Sequence, residues 1–287
     1  MGQRFPTSRL PRRRTPKSTI PSGRIPAPLI RLVIGAVIAI VAIAGYAMKS
    51  STNPVTGQSQ RVALSVDQEI ALGLQALPQM AAQHGGEDQS DRDQQILDRI
   101  GGVLVRSIDK QTPWNWEFHL LADPETVNAF ALPGGQVFIT RALYGRLQTE
   151  GQLAGVIGHE IGHVIERHGA QRMAKQQLTQ GLVGAAGVAG DSQRASQVAA
   201  AIGNLVNMSY GRDDELESDR WGIELMVNAG YDPRAMIGVM EILRDAGGGG
   251  GKAEFFSTHP DPENRIGRIE EAIREIYPDG VPDGLKP

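Results

Sequence analysis

The sequence predicts an α+β fold, mostly helical with a small sheet, behind one N-terminal transmembrane helix. Residues 32–48 (LVIGAVIAIVAIAGYAM) carry no charge. Apolar residues recur at helical spacing before about residue 108 and again after about 149, and strand-like residues lie between. Helices, a small sheet, then more helices, with no internal repeat, is an α+β order.

The chain has 287 residues, 40% of them hydrophobic and 21% charged, enough to fill a core. It has no cysteine, which excludes disulfide scaffolds, thiolate metal sites and a cysteine nucleophile. Any metal must be held by His, Asp or Glu. Residues 1–66 contain ten Lys or Arg and no acidic residue, leaving 19 of the 29 basic residues against all 32 acidic ones, a net of −13. So acidic a body does not attract nucleic acid.

Residues 1–31 read as a basic cytoplasmic arm and 32–48 as a membrane anchor. Seventeen residues make roughly 25 Å of helix. Leu29 and Ile30 extend the run, and Arg31 and Lys49 can snorkel at its ends. Eight basic residues precede the run and only Lys49 and Arg61 follow soon after, so the positive-inside rule leaves the N-terminus cytoplasmic and carries the rest across the membrane. A cleaved signal at Gly45-Tyr46-Ala47 is the alternative, disfavoured by the long basic arm. The expected location is a bacterial inner membrane with a periplasmic body. The mitochondrial inner membrane is the alternative, although six prolines in the arm oppose a presequence helix.

Residues 49–64 are polar and read as a tether, and the folded domain is expected over 65–287. Ser65 and Gln68 form a capping-box pattern ahead of Ile70, Leu74 and Leu77. A second helix is expected over about 91–108, with Ile96, Ile100, Val103, Leu104 and Ile108 on one face. Residues 114–121 and 129–140 are strand-like, the latter broken by Pro133-Gly134-Gly135. That pair of strands offers an edge for an extended peptide, or is a purely structural hairpin. Residues 181–190 are apolar but too short to cross a bilayer, and read as a buried helix. The glycines at 247–251 read as a flexible joint.

His159-Glu160-Ile161-Gly162-His163 is an H-E-x-x-H, on a helix that Thr149 and Gln152 can cap. Residues i and i+4 share a face, so the two histidines can converge on one ion with Glu160 beside it. Catalytic zinc takes three protein ligands. His168 is rotated by roughly 140° from His163 on a straight helix, and reads as a helix C-terminal residue before Gly169. Glu215 and Asp219, again i and i+4, are the better source: one binds metal while the other accepts a hydrogen bond from a ligand imidazole. His84 and His119 read as ordinary histidines.

His159–His163, then Glu215-x-Glu217-x-Asp219, then Ser257-Thr258-His259-Pro260 and Arg265 resemble the HtpX/BepA-type zinc endopeptidases. Asn128-Ala129-Phe130-Ala131-Leu132-Pro133-Gly134-Gly135 resembles that family's segment before the catalytic helix. The similarity spans roughly 65–275. A single hydrophobic run and no repeat tail place the chain nearest the singly anchored periplasmic and mitochondrial stress-protease branch. The resemblance implies a zincin-like metallopeptidase domain with one Zn2+ on His159, His163 and Glu215. It implies Glu160 as general base and Asp219 as orienter of a ligand. His259 is implied as a catalytic-site residue that plugs the metal or stabilises the transition state, and Arg265 as an oxyanion or structural residue. Asn128, Gly134 and Gly135 belong to the candidate substrate edge. The expected function is a membrane-anchored zinc endopeptidase acting on misfolded or envelope polypeptides. The alternatives are a tethered chaperone or assembly factor with a latent or structural metal site, and a peptidase with a narrow processing role.

Overall fold

In this computed structural model, the structure describes residues 26–189, 211–248, 254–259 and 264–287. Most of the basic arm, Pro260 and most of the five-glycine run lie outside the described residues; Gly247 and Gly248 end a helix.

Helix α1 (Ala27–Ala47) begins earlier than its uncharged core, because Pro28 is tolerated in a first helical turn. Nearly all of it is exposed, Gly35 being its one buried residue. The next stretch corrects the expectation of a tether at 49–64. Strands β1 (Ser50–Thr52) and β2 (Ser59–Arg61) pair antiparallel, with Ser50 opposite Arg61. The polar residues that suggested a tether turn inward. Asn53 Oδ1 accepts from the amides of Val55 and Thr56, while its Nδ2 donates to the Ile165 carbonyl at 2.7 Å. Gln60 Nε2 donates to the Glu166 carbonyl at 3.0 Å, and Val55 and Val62 are buried. The hairpin thereby satisfies carbonyls at the end of a distant helix, which such ends require.

Helix α2 (Val66–Gln83) starts at the expected capping box, with both reciprocal bonds made between Ser65 and Gln68. Helix α3 (Asp91–Arg106) buries Leu97, Ile100, Gly101 and Leu104. The sheet holds β3 (Glu117–Leu121), β4 (Ala129–Leu132) and β5 (Gln136–Thr140) in the order β3-β5-β4. Strand β3 runs parallel to β5, with Phe118 opposite Val137, and β4 runs antiparallel, with Phe130 opposite Phe138. Strand β5, central and wholly buried, is apolar on both faces apart from its ends.

A short helix α4 (Arg141–Tyr144) leads to α5 (Glu150–Ile165), capped by the Thr149 hydroxyl accepting from the Gln152 amide. From Leu153 to its end α5 is buried all round, the pattern of a helix at the centre of a core. Helix α6 (His168–Ala189) follows after Arg167, whose φ of 58° breaks the helical path. Helix α7 (Arg212–Asn228) packs along α5, and α8 (Ala235–Gly248), α9 (Phe255–Thr258) and α10 (Arg265–Ile276) complete the described body. Glycines let α5 and α7 approach: a methyl at Gly158 would lie 3.1 Å from Gly222 Cα, and one at Gly162 2.9 Å from Trp221 Cβ.

Candidate metal centre

Helix α5 presents His159 and His163 from successive turns, and α7 presents Glu215 from across the glycine contact. The short α9 delivers His259, whose ring stacks on Phe255 at 4.4 Å between centroids. Phe255 is itself fixed by donating its amide to the Val127 carbonyl at 3.3 Å. One donor atom from each of His159, His163, Glu215 and His259 lies within 4.8 Å of all the others, and all four residues are buried. His159 Nε2 is 3.1 Å from His163 Nε2, 3.4 Å from His259 Nδ1 and 3.4 Å from Glu215 Oε2. Glu215 Oε1 is 3.5 Å from His163 Nε2 and 3.2 Å from His259 Nδ1.

Those separations match an ion's coordination shell. A tetrahedron with zinc–ligand bonds near 2.0–2.2 Å has edges of about 3.3–3.6 Å. Glu215 Oε2 and Glu160 Oε1 are buried without a hydrogen bond, and imidazole and carboxylate donors suit zinc. The residues present therefore fit a zinc ion.

The two α5 histidines of the cluster are held from behind. His159 Nδ1–H donates to Asp219 Oδ1 at 2.9 Å. Asp219 is gripped by Arg265, which donates from Nε and Nη2 at 2.7 Å each. Arg265 is fully buried, and its Nη1 lies 3.4 Å from Glu215 Oε2. His163 Nδ1 lies 2.9 Å from His168 Nδ1, and His168 Nε2 lies 3.1 Å from Glu217 Oε2. With the metal-facing Nε2 of His163 bare, its Nδ1–H donates to His168, which in turn donates to Glu217. The expectation for His168 is thus corrected: the left-handed turn at Arg167 ends α5 and swings His168 back onto its neighbour. No spacing rule on a straight helix would find it.

Charges follow this wiring. Burial pushes His159 down, but its bonds to Asp219 and Glu215 prevail and hold the imidazole up at about 9. Burial drives His163 well below its usual value, and raises Glu160 above the usual carboxylate range. Glu215 and Asp219 are buried too, which alone would raise them. The His159 and His259 bonds hold Glu215 below its ordinary value, and Arg265 and His159 do so for Asp219. Glu160 Oε1 stands 3.6 Å from His259 Nε2, beside the cluster.

The substrate-edge residues separate. A methyl on Gly134 would meet Ile70 Cα at 2.5 Å and one on Gly135 the Asn115 carbonyl at 2.6 Å, so both glycines, at φ of 93° and 103°, let a tight turn pack against α2 and residue 115. Gly134 also lines a narrow cavity of about 10 Å³ with Ala131, Leu132, Pro133 and His163, beside the cluster. Asn128 is buried, and its Oδ1 makes no hydrogen bond. His84 bonds to Asp123 and His119 to Gln136, away from the cluster.

This fold and this donor set are those of a metallopeptidase, and the comparisons agree. The chain belongs to peptidase family M48, which matches residues 91–273. It is 32% identical over 245 residues to the beta-barrel assembly-enhancing protease of Escherichia coli K12, covering 81% of this chain and 49% of that protein. It is 31% identical over 226 residues to the mitochondrial metalloendopeptidase OMA1 of Schizosaccharomyces pombe, covering 77% and 66% respectively. The metalloprotease YcaL of Escherichia coli K12 is 29% identical over 184 residues, covering 62% and 68%. The chain thus spans about half the length of the first of these relatives. The expected family and the α+β class are borne out.

Proposed function

We propose that the chain is a membrane-anchored, zinc-dependent endopeptidase that hydrolyses peptide bonds of misfolded or envelope proteins, with Glu160 as general base. The observation that carries this reading is the four-donor cluster with a buried Glu160 oxygen beside it that makes no hydrogen bond and stands 3.6 Å from His259 Nε2. Zinc, when bound, supplies the Lewis acidity that activates water and polarises the scissile carbonyl. The protein supplies the rest. Asp219 fixes the tautomer of His159, and His168 that of His163. Glu160, its pKa raised by burial, accepts a proton from the attacking water and returns it to the departing amine nitrogen. His259 would be the fourth residue to hold the ion at rest, which would leave the enzyme latent until α9 withdraws to admit substrate. Arg265 braces Asp219 and offsets charge on Glu215, a structural task rather than an oxyanion contact. An extended substrate would lie along the outer edge of β4, beside the cavity that Ala131 and Leu132 line.

The likeness to an assembly-enhancing protease and a mitochondrial metalloendopeptidase supports a role in protein quality control. Helix α1, long and apolar enough to cross a membrane, and the excess of basic residues before it support an anchor with the catalytic body on the periplasmic side, or its mitochondrial equivalent. The resting His259 also favours one rival, a tethered chaperone whose metal site is never opened. The test is casein cleavage by detergent-solubilised full-length protein, with and without chelator, for wild type, Glu160→Gln and His259→Ala. Chelator-sensitive cleavage, absent in Glu160→Gln and faster in His259→Ala, is the expected result. Silence in both wild type and His259→Ala, with zinc bound, would transfer the reading to the chaperone.

A further inference from the structure

We propose that the bilayer holds part of a second helix: the C-terminal half of α6, residues 181–189, enters the membrane beside α1. The inference rests on the reading of α1 as a membrane span. The composition of α6 changes abruptly. Residues 168–180 include Arg172, Lys175, Gln176, Gln177 and Gln180, whereas 181–189 (GLVGAAGVA) has no polar side chain. In the core of a water-soluble body such a stretch would be buried, as the sequence suggested. Instead only Ala185 is, and Leu182 and Val188 are 39% and 37% exposed. Among the described residues, every exposed large hydrophobic except Met48 and Leu74 lies on α1 or on this stretch.

What the stretch packs against is α1. A methyl on Gly181 would lie 2.5 Å from Ala42 Cβ, and one on Gly35 would meet the Ala185 carbonyl at 2.8 Å and Ala189 Cβ at 2.9 Å. The helices are therefore antiparallel, with α6 descending along α1 from Ala42 towards Gly35. Close approach through Gly and Ala is how helices associate where lipid surrounds them, since no further hydrophobic gain is available there. Depth follows from the pairing. From Ala47 back to Gly35 is about 18 Å of helix. That passes the middle of a hydrocarbon core about 30 Å thick. A bilayer that surrounds α1 must then surround α6 to the same depth, and Leu182 and Val188 meet acyl chains. These nine residues alone are too short to cross and enter from the side of the catalytic body. The other end of the same helix is His168, in contact with His163.

The absence of cysteine makes the test direct, because each introduced thiol reports one position. Full-length Lys175→Cys, Leu182→Cys, Val188→Cys and Val37→Cys are reacted with a water-soluble, membrane-impermeant maleimide in intact proteoliposomes, then again after denaturation in SDS. Lys175→Cys should label at least ten-fold faster than the other three in membranes, with all four equal after denaturation. Leu182 and Val188 are exposed among the described residues, so protection that appears in membranes and not in detergent is shielding by lipid. The Ala42→Cys/Gly181→Cys double variant, oxidised with copper phenanthroline, should lose both thiols to a polyethylene-glycol maleimide without forming a dimer. Fast labelling at 182 and 188 with protection at 37 would overturn the proposal and leave the anchor standing. Fast labelling at 37 as well would remove the anchor with it. A disulfide formed only between chains would overturn the pairing within one chain.

Discussion

Gly162, the fourth residue of the H-E-x-x-H, sits where α5 and α7 are in close contact, and Gly162→Ala tests whether that contact positions Glu215. Its new Cβ would lie 2.9 Å from Trp221 Cβ and 3.0 Å from both Ser218 Cα and the Ser218 carbonyl. None of these is the tip of a flexible side chain, so relief requires the helices to part. Alanine gains about 1 kcal/mol of helix propensity over glycine. Overpacking a core costs about 1–3 kcal/mol. The net is a loss of up to about 2 kcal/mol, or a Tm lowered by up to about 8 °C for a domain of this size. The larger effect falls on the metal, because α7 carries Glu215, whose oxygens stand 3.4 and 3.5 Å from His159 and His163. Zinc affinity, read by competition with a chromogenic chelator, should fall by about ten-fold or more, the scale of disturbed ligand support. Gly102→Ala is the control. Its Cβ would meet only the end of the Arg106 side chain, at 3.2 Å, so the propensity gain should survive and Tm should rise. Gly162→Ala with undiminished Tm and unchanged zinc affinity would refute the packing argument.

Removing Arg265 as Arg265→Met leaves Asp219 and Glu215 without their buried cation, and should cost about 3–5 kcal/mol in thermal unfolding of the metal-free protein. Arg265→Lys should recover only part of it, lacking the two-pronged grip. His168→Phe should weaken zinc binding by about 10–100-fold in chelator competition while His168→Asn, which retains an acceptor, loses less. Asp123 supplies the pH prediction: burial pushes its carboxyl up, but the amides of Thr126 and Glu125, with His84, hold it down at about 2. As pH falls the unfolded carboxyl is protonated first, so the stability Asp123 contributes is complete above its unfolded value of about 3.9 and is lost as pH falls through about 2. The Tm gap between wild type and Asp123→Asn should therefore be constant above pH 5 and close in strong acid.

The parts of the site that lie on single helices were legible in the sequence. His159 with His163, and Glu215 with Asp219, each follow from the i, i+4 rule, and the caps at Ser65 and Thr149 follow from hydroxyls at helix starts. The strand–turn–strand at 129–140 is where its β-branched residues and Pro133-Gly134-Gly135 put it. What escaped depends on long-range use of ordinary polar residues. Asn53 and Gln60 read as solvent-facing because nothing local says that they serve Ile165 and Glu166, more than a hundred residues away. His168 escaped because Gly169 reads as the helix stop, whereas α5 ends earlier, at a left-handed arginine, Arg167. The stretch at 181–190 reads as buried from its small apolar residues, but over the described 181–189 its small faces meet α1 and Leu182 and Val188 point outward.

Charge gives a further reason, independent of kinship, to expect a divalent ion. Glu160, Glu215 and Asp219 are carboxylates buried within one cluster, and Arg265 is the permanently charged cation among them. With all three carboxylates ionised the cluster carries a net of −2, and uncompensated buried charge costs several kcal/mol per ion. Protons are the alternative compensation, and the directions of titration show where they go: His159 is held up at about 9 and Glu160 is raised. A doubly charged ion among His159, His163, Glu215 and His259 removes the need for both. It would leave Glu160 ionised, the state the proposed general base requires. A monovalent ion would leave one charge over, and a trivalent one would reverse the imbalance. The same side chains whose spacing suits a tetrahedral cage are therefore also short of two positive charges.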